Sequence, residues 1–158
     1  MNNTGILGLH SLLRWAIIIF LIINISRSII NKKRPYSALD RSWNLRLIIV
    51  THINFLIGMY QYFFGDKGYV FIKIYGMADV MKDAKLRFWA IEHLTGMLVA
   101  VVLITITSSI SKKSFDNDVA KHNKLGWFYF AALVIICAVI PWPFRHSLGD
   151  FPWFRNLY

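Results

Sequence analysis

The sequence predicts an all-α fold, an integral membrane four-helix bundle of up-and-down connectivity. Three observations predict it. Hydrophobic residues fill 56% of the 158 positions and charged residues only 16%, against about 45–50% and about 25% in soluble domains. The apolar residues gather into four runs, each long enough for the roughly 20 residues that cross a hydrocarbon core. Aromatic residues, six of them Trp, flank many of these runs as interfacial belts do.

The first run extends from Ile6 to Ile30. It has no basic stretch before it and no small-residue cleavage pattern after it, so it reads as a span and not as a signal peptide. The second runs from Asn44 to Phe64 and the third from Leu86 to Ile110. Between them, Tyr69 to Ala84 mixes apolar with charged residues, and reads either as a short interfacial helix with snorkelling lysines or as a plain connector. The fourth run, Leu125 to Phe144, is ended by Pro141 and Pro143, which cannot continue a helix interior. Phe151, Trp153, Phe154 and Tyr158 follow as an aromatic anchor. No repeat or low-complexity tract interrupts the chain, and 1–158 reads as one membrane domain.

The net charge of +10 is placed as loop anchors are. Lys32, Lys33, Arg34, Arg41 and Arg46 form one cluster and Lys112, Lys113, Lys121 and Lys124 another, both between apolar runs. That pattern suits an anionic cytoplasmic leaflet and not nucleic acid. Both termini and the 65–85 loop then face the other side. Cys137 is the single cysteine, which excludes a disulfide framework and reads as a small buried apolar residue.

Three histidines lie in or at the mouth of separate runs. A polar ring in hydrocarbon needs a partner, so each marks a candidate site. At about 1.5 Å per residue from the outer face, His10 lies about 6 Å deep, His93 about 10 Å and His52 about 18 Å. Helices 1 and 3 are diagonal in an up-down-up-down square, so His10 and His93 can meet through the core. Two imidazoles so placed suit the two faces of a haem b. Arg14, one turn from His10, and Arg87, at the outer end of the third helix, are candidate propionate partners. Gly58 and Gly96 remove bulk beside the ring, and Phe55, Met59, Trp89 and Met97 could wall it.

Each of these has a structural alternative. A membrane histidine can bond a carbonyl or hydroxyl across helices, and Gly58 and Gly96 can serve packing alone. Glu92 points about 100° away from His93, as a partner for Arg14 or His52 or as a proton-handling group. His122 and His146 read as solvated.

The motifs LHSLLRW at 9–15, THINFLIG at 51–58, MKDAKLRFWAIEH at 81–93 and IPWPF at 140–144 resemble those of small four-helix bacterial inner-membrane proteins labelled cytochrome b-like. The resemblance implies haem b and electron transfer in the bacterial inner membrane, with His10, His52 and His93 as the matching ligand candidates. The expected function is thus a haem b electron carrier, a subunit or partner of a respiratory complex, more a carrier than a stand-alone enzyme. The lipid bilayer, neighbouring respiratory subunits and a quinone are its candidate partners. Two alternatives stand beside it: a non-haem metal site of the three histidines with Glu92, and a structural or assembly subunit without cofactor.

Overall fold

The structure, a computed structural model, describes residues 4–115 and 117–148. The aromatic residues Phe151, Trp153, Phe154 and Tyr158 lie outside the described residues. The helices are α1 (Thr4–Ile30), α2 (Ala38–Phe64), α3 (Tyr69–Lys82), α4 (Ala84–Lys112) and α5 (Asp118–Val139), followed by a 3₁₀ turn at His146–Leu148. All but α3 are long and apolar enough to cross a membrane, and the chain is a multi-pass membrane protein. The spanning helices form a square: α1 packs on α2 and α5, and α4 packs on α5 and α2. Helices α1 and α4 are therefore diagonal partners.

The surface is apolar and much of the interior is polar, the reverse of a soluble domain. Ile19, Ile22, Leu56, Val102, Trp127 and Val134 are exposed, whereas Asn24, Asp40, Asn44, Thr51, Thr107 and His122 are buried. In lipid the outward apolar side chains cost nothing, and helices associate through packing and hydrogen bonds between them. Across the centre, Leu21, Leu47, Ile104, Leu125 and Ile136 form an apolar plug.

Helix boundaries depart from the apolar runs at two places, because caps and not hydropathy set them. Helix α2 begins at Ala38, six residues before Asn44, because Ser37 and Asp40 form a reciprocal capping box. Helix α5 begins at Asp118, behind an Asn117 side chain that accepts the Val119 N–H, and stops at Val139 ahead of the prolines. The 65–85 segment is largely helical: α3 is one helix by hydrogen bonding but bends at Gly76, whose φ of 75° only glycine adopts cheaply.

The basic-loop end is held by Asp40. Its carboxylate accepts from Arg27 (2.7 and 3.0 Å), Arg34 (2.8 and 3.0 Å), and the Ser37 backbone N–H and hydroxyl. One turn on, the Asn44 amide and the Thr107 hydroxyl tie α2 to α4 at 2.7 Å. His122, expected to be solvated, is 1% exposed and packs against the Tyr36 ring. The reason is the helix start: α5 begins four residues before His122, so this residue faces the interior one turn inside the bundle. Burial raises the Tyr36 hydroxyl above its ordinary range, so it stays neutral there. His146 is exposed. Cys137, expected to be buried, is half-exposed.

Gly96 sets the approach of α4 to α5. A Cβ there would lie 2.5 Å from Val139 Cγ1 and 3.2 Å from Val139 Cβ, so one helix would have to move. Gly96→Leu is expected to destabilise the bundle by about 1–3 kcal/mol through overpacking, read as a lower thermal midpoint in detergent.

Candidate functional site

The half of the bundle away from the basic loops holds a partly open cavity of about 280 Å³, lined mainly by α1, α2 and α4. Helix α1 supplies His10, Ser11 and Arg14, α2 supplies Thr51, Asn54, Phe55, Gly58 and Met59, and α4 supplies Trp89, His93 and Met97. The α2–α3 connection adds Asp66 and Lys67 at one end of it. His10 and His93 thus reach one space from diagonal helices, and Arg14 lines the same space. Arg14 also donates to Ser11 Oγ at 3.2 Å.

The two imidazoles are held differently. His93 Nδ1 donates to the Val139 carbonyl at 2.7 Å, which places its proton on Nδ1 and leaves Nε2 as the lone-pair nitrogen. The ring lies 5.9 Å from those of Phe88 and Trp89. His10 Nδ1 is buried with no hydrogen-bond partner. Its ring lies against Gly58, where a Cβ would come within 3.1 Å of His10 Cε1.

His93 follows a single π-turn, Phe88–Glu92, inside α4. Its own N–H bonds Phe88 O, five residues back. Such turns insert one residue and concentrate at functional sites. The wide turn also brings Arg87 and Glu92 onto one face, where Arg87 Nε meets Glu92 Oε1 at 2.7 Å. Tyr62 on α2 closes the turn by donating to the Ala90 carbonyl at 3.0 Å.

The end of α5 supplies the acceptor for His93. Pro141 and Pro143 have no N–H to give the carbonyls four residues back, so the last carbonyls of α5 find other donors. Cys137 O accepts the Trp142 indole N–H at 2.7 Å, Ala138 O accepts Arg145 Nη1 at 2.9 Å, and Val139 O accepts His93. Arg145 then lies 5.0 Å over the buried Phe88 ring of the π-turn.

Four of the candidate residues read from sequence stand apart from this cavity. His52 is one residue past Thr51, hence about 100° around α2. There its Nδ1 donates to Ile48 O at 2.8 Å and its Nε2 lies 3.3 Å from Thr105 Oγ1. Arg87, expected on a propionate, is held by Glu92 and by Met81 O at 2.9 Å. Glu92 accordingly pairs with Arg87 and not with Arg14 or His52, because the π-turn rotates it away. Gly96 faces Val139 and not the cavity. Among the described residues no three His, Cys, Asp or Glu side chains gather as a metal-binding group. His93, His10, Arg14 and Gly58, and the wall residues Phe55, Met59, Trp89 and Met97, all line the cavity.

Sequence reasoning missed the polar wall. Thr51 and Asn54 are 3% and 8% exposed, and Thr51 Oγ1, Asn54 Oδ1 and Gln61 Nε2 lack hydrogen-bond partners while lining the cavity. The signal was present in α2: Asp40, Asn44, Thr51, Asn54, Gly58 and Gln61 recur at spacings of three, four or seven, a polar stripe on one face of an apolar helix. Lys67 was missed because it lies in the connection, 4.3 Å over the Trp89 ring.

Comparison with protein-family models, with curated proteins and with solved structures returned no match.

Proposed function

We propose that this protein is a membrane-embedded haem b-binding electron carrier, a subunit or partner of a bacterial respiratory complex, with His93 and His10 as the two axial ligands. One observation carries the reading: imidazoles from diagonal helices share a largely apolar cavity, while the third membrane histidine is bonded elsewhere. Haem b, when bound, supplies a one-electron iron couple.

The residues present fit that group. His10 Nδ1 is an unpartnered buried nitrogen, and Gly58 leaves open the space beside it that a Cβ would crowd. The volume of about 280 Å³ lies just below the range of small-molecule sites, about 300–1,000 Å³. Arg14 and Lys67 are the cations that line the cavity and would face the propionates, in place of Arg87. Trp89, Met97 and Phe55 line the cavity and would lie against the ring. By the positive-inside rule the basic loops lie in the cytoplasm, which puts the cavity in the periplasmic half of the inner membrane. A donor and an acceptor, such as a quinone or a neighbouring subunit, must then dock there.

The alternatives have less support. A non-haem metal centre needs a third ligand, and both His52 and Glu92 are engaged outside the cavity. A purely structural bundle would carry a cavity and unpartnered buried polar atoms with nothing to offset their cost. The test is a spectrum of the purified protein, oxidised and dithionite-reduced, with a pyridine haemochrome assay. A Soret band, an α-band on reduction and about one haem per chain are expected. Protein produced with ample haem that shows no Soret band overturns the reading.

A further inference from the structure

We infer that the Pro141-Trp142-Pro143 segment is a positioning device for His93, which holds the imidazole in its Nδ1–H form and so leaves Nε2 available to a ligand in the cavity. That Nε2 meets haem iron rests on the function proposed above; the state of the ring does not.

The inference follows from where the backbone hydrogen bonds of α5 go. In a continuing helix the carbonyl of Val139 would accept the N–H of residue 143, and that of Cys137 the N–H of residue 141. Both donors are absent because both residues are proline. A buried carbonyl left alone is costly, so each takes a side-chain donor. Cys137 O takes the Trp142 indole at 2.7 Å, and Val139 O takes His93 Nδ1 at 2.7 Å. Trp142 N–H turns back to Ile140 O at 3.0 Å, which holds the chain out of helical register at this point.

Two further contacts aim the bond. Gly96, one turn from His93, admits Val139 to within the reach of α4. The π-turn, whose last hydrogen bond is made by the His93 N–H itself, sets the phase at which the ring leaves the helix. A backbone carbonyl is an acceptor only, so it selects one tautomer, and a ring whose remote N–H is so bonded is a more basic ligand at its other nitrogen. His10 Nδ1 has no such partner.

The experiment reads the histidine tautomers of the full chain in detergent, without haem, from proton–nitrogen correlation spectra of isotope-labelled histidine. The His93 signal is assigned by its loss in His93→Gln. The native protein is expected to carry the His93 proton on Nδ1. The double variant Pro141→Ala/Pro143→Ala, which restores both backbone donors, is expected to lose that signature, whereas Trp142→Phe, which removes only the donor to Cys137, is expected to keep it. In haem-loaded protein the double variant is expected to raise the reduction potential, since a less basic ligand favours ferrous iron. A native His93 protonated at Nε2, or a double variant with its Nδ1–H signature unchanged, overturns the inference. Should the double variant fail to fold, Gly96→Ala, which presses on Val139 alone, is expected to weaken the same signature. Absence of haem would defeat the proposed function and leave the tautomer result standing.

Discussion

His93→Ala and His10→Ala are each expected to abolish haem binding, and His52→Ala to retain it. The three variants remove the same group from similar surroundings, so the contrast isolates the site. His93 and His10 line one cavity from opposite corners of the square, and a two-ligand site cannot lose either without losing the iron's coordination. His52 instead spans Ile48 O and Thr105 Oγ1 on the α2–α4 seam, so its loss costs stability, about 1 kcal/mol for hydrogen bonds of this kind. Haem content per chain by pyridine haemochrome, beside the thermal midpoint, separates these effects. Full haem in His10→Ala, or none in His52→Ala, would count against the assignment.

Asp40→Ala is expected to be the most damaging single change at the other end of the bundle. The Asp40 side chain is 5% exposed, and it receives Arg27 from α1, Arg34 from the connecting loop, and Ser37 at the start of its own helix. Alanine strips all of these at once and leaves Arg27, itself only 22% exposed, with an unbalanced charge. Removing one partner of a fully buried pair costs about 3–5 kcal/mol, and the partial exposure of both guanidiniums puts this case below that range. A fall in the thermal midpoint of several degrees, with less protein recovered from the membrane, is the expected result. Asp40→Asn, which keeps acceptors but not charge, should lie between. An unchanged midpoint in Asp40→Ala would mean that the cluster is solvated in the native membrane.

The architecture was legible because membrane insertion is a one-dimensional problem: apolar length decides what spans, and loop length decides that neighbours are antiparallel. Depth was legible for the same reason, which is why His10 and His93 could be paired from residue counts. Azimuth was not. Whether a side chain faces its neighbours depends on the phase of the whole helix, and His52 was judged by depth without the polar stripe of α2 that would have shown it to lie beside that stripe and not on it. Arg87 and Glu92 failed for a subtler reason, since their meeting requires a π-turn that no residue preference announces. The prolines were read as a stop signal, which they are; that the carbonyls they release would be claimed by a histidine 46 residues earlier is a tertiary fact.

The π-turn means that fold and site tolerate change differently over the same five residues. A helix that holds one surplus residue can lose it and remain an unbroken helix of ordinary pitch. Such a loss would turn everything before it by about 100° relative to everything after it. The connection carrying Lys67 would then meet α4 at another angle, and the buried Phe88 and Ala90 would leave their present contacts. Length variation there would therefore leave α4 a continuous helix while changing what it presents to the cavity and to the contacts of Tyr62 and Arg145, so the surplus residue couples the cavity to the packing around it.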